Sequence, residues 1–303
     1  MPIPLPAATD PTESLADWME LEALRSKDKS TSVASLVKLL RRTGSTDAIV
    51  SAGGDSGSQV TQSIAQDAFG EIENRVKACG KDRYPFEVTR GALNVRPKPE
   101  AFTYTALLLM SINKPTAGHE GTSALFENIC ARATLGYLGG SANGVVSVRF
   151  GSPRKSPLAR LNQAIDDLCL SVGEGDGCRR PQLATHTGDD GLDIVAWRSF
   201  PDGKQGKLIA FGQCAAGASD WQDKLAEMDA RSFVKKWMRA PLLVDPVRLF
   251  FIPRRVSSRD WESAGIDGGI LFDRCRIVAC YHSEPTLEKR CLDASKIMLK
   301  GLK

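Results

Sequence analysis

The chain has little of what metal-stapled or membrane-bound proteins rely on. It holds three histidines, and its eight cysteines (79, 130, 169, 178, 214, 275, 280 and 291) include no CxxC pair. That pattern argues against a zinc site. The longest apolar run, Ala106 to Met110, falls far short of the ~20 residues of a membrane span, so no membrane partner is expected. The start, Met1-Pro2-Ile3-Pro4-Leu5-Pro6, lacks a basic segment and a long apolar core. No secretory signal is therefore expected, and free thiols in a reducing cytoplasm are the matching expectation. Strong charge of one sign is also missing. Forty Lys and Arg against 36 Asp and Glu leave +4, which permits an anionic partner without demanding one.

What is present is an ordinary globular composition, 42% hydrophobic and 25% charged. At 303 residues, a core needs neither disulfides nor metal, and one large or two modest domains fit. Periodicity predicts helices over 13–24, 32–42 and 60–78, short extended pieces at 84–88 and 93–95, and a buried helix over 102–112. Residues 1–115 thus read as a mainly helical region that matches no motif. Composition shifts at 113–121, where a boundary or major linker is expected. Beyond it, helices are predicted over 122–137, 157–171, 221–237 and 259–264. Strands are predicted at 145–150, before and after the Pro201-Asp202-Gly203 turn, at 247–252 and at 269–272.

Two stretches carry the chemistry. Gly188-Asp189-Asp190-Gly191-Leu192-Asp193 is an acidic turn running into a strand, and Lys207 to Cys214 is an apolar strand ending on Gln213. The hairpin between them brings Asp193 and Gln213 to one end of a sheet, an oxygen pair of the kind hard divalent cations bind. With the helix over 157–171 set aside as an insertion, the second half reads αβββαβ. This order, together with Gly-x-Asp, a hairpin and Gln at the end of an apolar strand, resembles the core of the PD-(D/E)XK, restriction-endonuclease-like nucleases.

The resemblance implies an α/β fold over residues 116–303 and metal-dependent hydrolysis of DNA with Mg²⁺ or Mn²⁺. It gives Asp193 the place of the first strand acid and Gln213 that of the second. Glu127, a charge among Leu125, Phe126, Ile129 and Cys130, takes the place of the helix acid; the alternative is that it points to solvent. Asp193, Gln213 and Glu127 are the expected metal ligands, with Asp189 and Asp190 as rivals better suited to capping. The chain departs from the pattern at Ala215, where a lysine belongs. Lys224 is the candidate replacement: on a helix starting at Trp221 it lies about 60° from the centre of the Trp221, Leu225, Met228 face. The alternative is an ordinary surface lysine. Arg154-Lys155 and Arg254-Arg255 are candidate phosphate contacts, as are Arg179-Arg180, Lys235-Lys236, Arg274 and Arg276.

Three functions remain open. The first is a DNA-cleaving enzyme, which by fold analogy alone would serve bacterial antiviral defence or restriction. The second is an inactive nuclease-fold module that binds nucleic acid or a partner protein. The third is an unrelated α/β interaction protein. A defence-system partner protein and a homodimer are further expectations.

Overall fold

The computed structural model describes residues 5–43, 57–96, 98–112, 120–150, 157–179, 190–217 and 221–302. It is a mixed α/β protein with two sheets and, among the described residues, ten α-helices. The chain divides into two compact units, Met1–Leu109 with Glu288–Lys303, and Met110–Leu287.

The first unit contains α1 (Thr12–Arg25), β1 (Ser30–Ser32), α2 (Val33–Arg42), α3 (Gly57–Cys79), β2 (Phe86–Thr89) and β3 (Ala92–Val95). Most of α4 (Phe102–Ile112) also belongs to it. The strands form an antiparallel sheet in the order β1-β3-β2. Ser32 caps α2 by accepting from Ser35 N–H at 3.2 Å. The centre of this unit is ionic. Arg75 of α3 is fully buried and meets Asp17 at 2.7 Å, Glu20 at 3.0 Å and Glu71 at 3.0 Å. Glu20, equally buried, accepts from the hydroxyls of Tyr84 at 2.5 Å and Tyr104 at 2.7 Å. Burial disfavours the charge on Arg75, but Glu20 and then Asp17 outweigh it and hold the guanidinium well above its usual range. Burial, followed by the Glu20 charge, keeps Tyr84 protonated and able to donate.

The second unit is built on a five-stranded sheet in the order β4-β5-β6-β7-β8: β4 (Val145–Arg149), β5 (Ile194–Arg198), β6 (Leu208–Cys214), β7 (Val247–Phe251) and β8 (Ile270–Phe272). The first three strands are antiparallel, and β6, β7 and β8 run parallel. α5 (Glu120–Tyr137) packs on β4, β5 and β6; α8 (Ser258–Gly268) lies between β7 and β8 in the chain and packs on both, and α9 (Arg274–Cys280) packs on α5. Gly136 permits that last approach, because a Cβ there would lie 1.9 Å from the Cys280 carbonyl oxygen. The opposite cluster joins α6 (Pro157–Val172) and α7 (Ala230–Trp237) to the sheet through Leu161, Ile165, Val195, Phe211, Phe233 and Trp237.

One expected element is corrected. The segment 221–237 is not a single helix but a 3-10 turn (Asp223–Ala226) followed by α7. Asp229 causes the break. Its side chain accepts from Ser232 N–H at 2.6 Å, so the residue adopts extended geometry and starts a new helix instead of continuing the old one. Met228, fully buried, anchors the join. The structure also adds elements the sequence reading left unassigned: β1, α9 and α10 (Pro285–Gly301).

Candidate functional site

Asp193 lies immediately before β5. Its N–H donates to Gly212 O at 2.9 Å, and its carbonyl accepts from Phe150 N–H at 2.6 Å. The β5–β6 register pairs Ile194 with Gly212, so Asp193 stands opposite Gln213 at the same end of the sheet. The Asp193 carboxylate then reaches across to accept from Cys214 N–H at 2.6 Å.

Gln213 is only 3% exposed. Its Nε2 donates to Glu227 Oε2 at 2.9 Å, which fixes the amide orientation and leaves Oε1 buried without a hydrogen-bond partner. Gly191, at φ 76°, makes room for this amide: a Cβ there would lie 3.1 Å from Gln213 Nε2 and 3.3 Å from Met228.

A cavity of about 250 Å³ opens at the Cys214 end of β6, on the α5 side of the sheet; neither Asp193 nor Gln213 lines it, and the Gln213 side chain turns to the other face, beside Glu227 and Met228. Glu127 and Ser123 of α5 line the cavity, as do Cys214, Ala216, Gly217 and Lys224. Lys224 therefore borders the same space as Glu127, although it projects from the 3-10 turn and not from a helical face. Glu127 is also ion-paired with Arg149 of β4. The thiols of Cys214 and Cys130 lie close enough to influence each other. Burial is the largest influence on both and pushes both up, with the Asp193 and Glu127 charges adding to it. Neither thiol is a thiolate nucleophile at neutral pH.

Ala215 is sealed. It is fully buried with Leu225, Phe250, Ile252 and Leu271, so the position that would carry the lysine lies in an apolar cluster. Asp190, the rival acid, sits at φ 50° and accepts from Trp237 Nε1 and Lys236 Nζ, both at 2.6 Å. It fastens a turn to α7. Asp189, Arg154, Lys155 and Arg180 lie outside the described residues.

Four of the other basic candidates are taken up by contacts within the protein. Arg254 donates to Ser111 O at 2.6 Å, and Arg255 pairs with the buried Asp273 at 2.5 Å. Arg274 is fully buried on Pro253 O, and Arg276 lies 4.3 Å over the Trp261 ring. The sequence reading missed three partners: Glu227, Arg149 and the Cys130–Cys214 pair. Only Glu227 had a local signal, three residues after Lys224. Among the described residues no three His, Cys, Asp or Glu side chains gather as a metal-holding group. Nor is any helix among them long and apolar enough to cross a membrane. Comparison with protein-family models, with curated proteins and with solved structures finds no match to this chain.

Proposed function

We propose that the second unit is a metal-dependent nuclease of the restriction-endonuclease-like class that hydrolyses DNA phosphodiester bonds. The observation that carries this reading is the placement of Glu127 and Lys224 on one cavity at the strand end where Asp193 bonds to Cys214 N–H. The element order α5, β4, β5, β6, α7, β7, with α6 inserted, supports the same class. A bacterial defence role would follow by fold analogy alone.

By donor type, carboxylate and amide oxygens suit a hard divalent cation, although Asp193 and Gln213 do not line the cavity that Glu127 and Lys224 share. Gln213 Oε1 is a buried carbonyl oxygen with no partner, and it is the uncharged oxygen such an ion accepts beside carboxylates. Asp193, Gln213 and Glu127 would hold Mg²⁺ or Mn²⁺, which when bound would acidify water and polarise the phosphate. The chain's own groups have separate tasks. Cys214 N–H orients Asp193, and Glu227 orients Gln213. The Lys224 ammonium counters charge developing on the phosphate. The small residues Ala216 and Gly217, which line the cavity, leave space for a phosphate to approach.

The test is cleavage of labelled duplex and single-stranded DNA with Mg²⁺ or Mn²⁺. Asp193→Ala should abolish it. Lys224→Ala should slow it by about 10²-fold with an unchanged melting profile, the usual effect of losing one positioned electrostatic group. Undiminished cleavage in either variant would overturn the assignment.

A second reading, an inactive nuclease-fold module that binds nucleic acid or a protein, is favoured by the sealed Ala215 and by the Arg149 pairing of Glu127. It predicts nucleic-acid binding without cleavage by the unmodified chain under every divalent ion tried.

A further inference from the structure

Two basic positions far apart in sequence, Arg179 and Lys235, meet in the second unit. Arg179 N–H donates to Trp237 O at 2.7 Å, and a single bridge joins Cys178 to Met238. Arg239 N–H and Ala240 N–H donate to Gly177 O and Gly175 O, both at 3.0 Å. The segment 175–179 is thus fastened along 237–240. The join leaves a pocket of about 250 Å³ whose walls include Arg179, Arg231 and Lys235 and whose floor includes Val234, Met238 and Leu242. Arg231 and Lys235 share a face of α7, one turn apart.

Asp245 also lines this pocket and pairs with Arg231 at 2.6 Å. Arg179 and Lys235 are exposed and make no ion pair among the described residues. Three cations facing one carboxylate leave an excess of two positive charges. A guanidinium fork and an ammonium above an apolar floor suit a phosphate attached to a flat ring.

This pocket is not the candidate cleavage site. Asp245 and Pro246 lead into β7, whose Val247 pairs with Ala210 of β6, whereas the candidate cavity includes Cys214 at the far end of β6. At about 3.3 Å per residue, Ala210 and Cys214 are about 13 Å apart along the sheet. A nucleic-acid strand of several units spans that gap, and a mononucleotide does not.

We propose that Arg179, Lys235 and Arg231 form a nucleotide-phosphate pocket remote from the candidate cleavage site, filled by a free nucleotide or by one unit of a nucleic-acid strand. Only the strand source rests on the nuclease reading. The test uses the full chain in EDTA, so that metal-dependent cleavage does not enter. Binding of a fluorescein-labelled single-stranded oligonucleotide is followed by anisotropy, with adenosine 5′-monophosphate as competitor. The variant Arg179→Gln/Lys235→Gln should bind at least about tenfold more weakly. Its slope of log affinity against log salt should be shallower by about 1.4, or about 0.7 for each lost phosphate contact. Lys204→Gln, at an exposed lysine in the β5–β6 hairpin, should change nothing. Displacement by the mononucleotide identifies a free nucleotide as sufficient, and oligonucleotide binding without displacement identifies the strand; either supports the pocket. Three results would overturn it: neither probe binds at low salt, the double variant binds like the unmodified chain, or Lys204→Gln weakens binding equally. Cleavage with Mg²⁺ is read separately on the unmodified chain and on Asp193→Ala, so loss of the nuclease reading and loss of the pocket are separate outcomes. If the double variant melts early, Lys235→Gln alone carries the same comparison.

Discussion

The two units place polar side chains in apolar surroundings in opposite ways. In the first, Arg75 is surrounded by Asp17, Glu20 and Glu71, and Glu20 takes two tyrosine hydroxyls. Charge is matched on the spot. In the second, Gln213 is nearly as deeply buried, yet its Oε1 meets no donor, and the carboxylate and ammonium nearby border a cavity. Matched burial specifies a fold. A buried acceptor left without a donor costs stability and persists where something else supplies the partner.

The comparison can be broken first at Arg75. Arg75→Ala leaves Glu20 buried and short of its counter-charge, and should lower unfolding stability by about 3–5 kcal/mol in a urea titration. A loss below about 1 kcal/mol would rank this network with exposed ion pairs. Ala215→Lys comes next. It inserts an ammonium among Leu225, Phe250 and Ile252, and should cost about 3 kcal/mol while creating no cleavage activity. A stable Ala215→Lys that cleaves faster than the unmodified chain would show that this cluster opens toward the candidate site.

Gln213→Glu sharpens the contrast. It replaces the hydrogen bond to Glu227 with two facing carboxylates and should cost about 1–3 kcal/mol at neutral pH. Repulsion raises the pair's folded pKa, so stability should return as pH falls and a shared proton binds. Added Mg²⁺ should also raise the melting temperature of this variant if the oxygens around Gln213 form the ion site.

The smallest effect is expected at Asp229. Hydrogen bonds from the Ser232 side chain and backbone hold this carboxyl below its usual range. A depressed folded pKa means the cap stabilises above the ordinary carboxylate range and fades as pH falls through the folded value. Asp229→Ala should therefore cost about 1 kcal/mol at neutral pH, with the difference closing in acid. A constant difference down to acid pH would assign the cap to packing and not to the carboxylate.

Much of the second unit was legible because its signals are local. Asp193 and Gln213 flank one hairpin, so strand register alone placed them opposite each other. Glu127 stood out as a charge inside an apolar helical stretch. Lys224 borders the expected space, but the continuous helix used to argue for it is broken at Asp229. There a side-chain cap competed with helical periodicity, and periodicity does not register the competition.

Arg254 and Arg255 show the opposite case. A doublet of basic residues reads as a phosphate contact until Ser111 and Asp273, distant in sequence, take up its hydrogen bonds. Hydrophobic period and turn chemistry by themselves determined the strands, most of the helices and the hairpin, because those forces act within a few residues. Only tertiary structure decided that Arg149 meets Glu127, that Glu227 turns the Gln213 amide, that Ala215 is sealed, and that Arg179 and Lys235 share a pocket. Each of these depends on segments far apart in the chain being brought within ångströms, where desolvation and hydrogen bonding fix what a side chain can do.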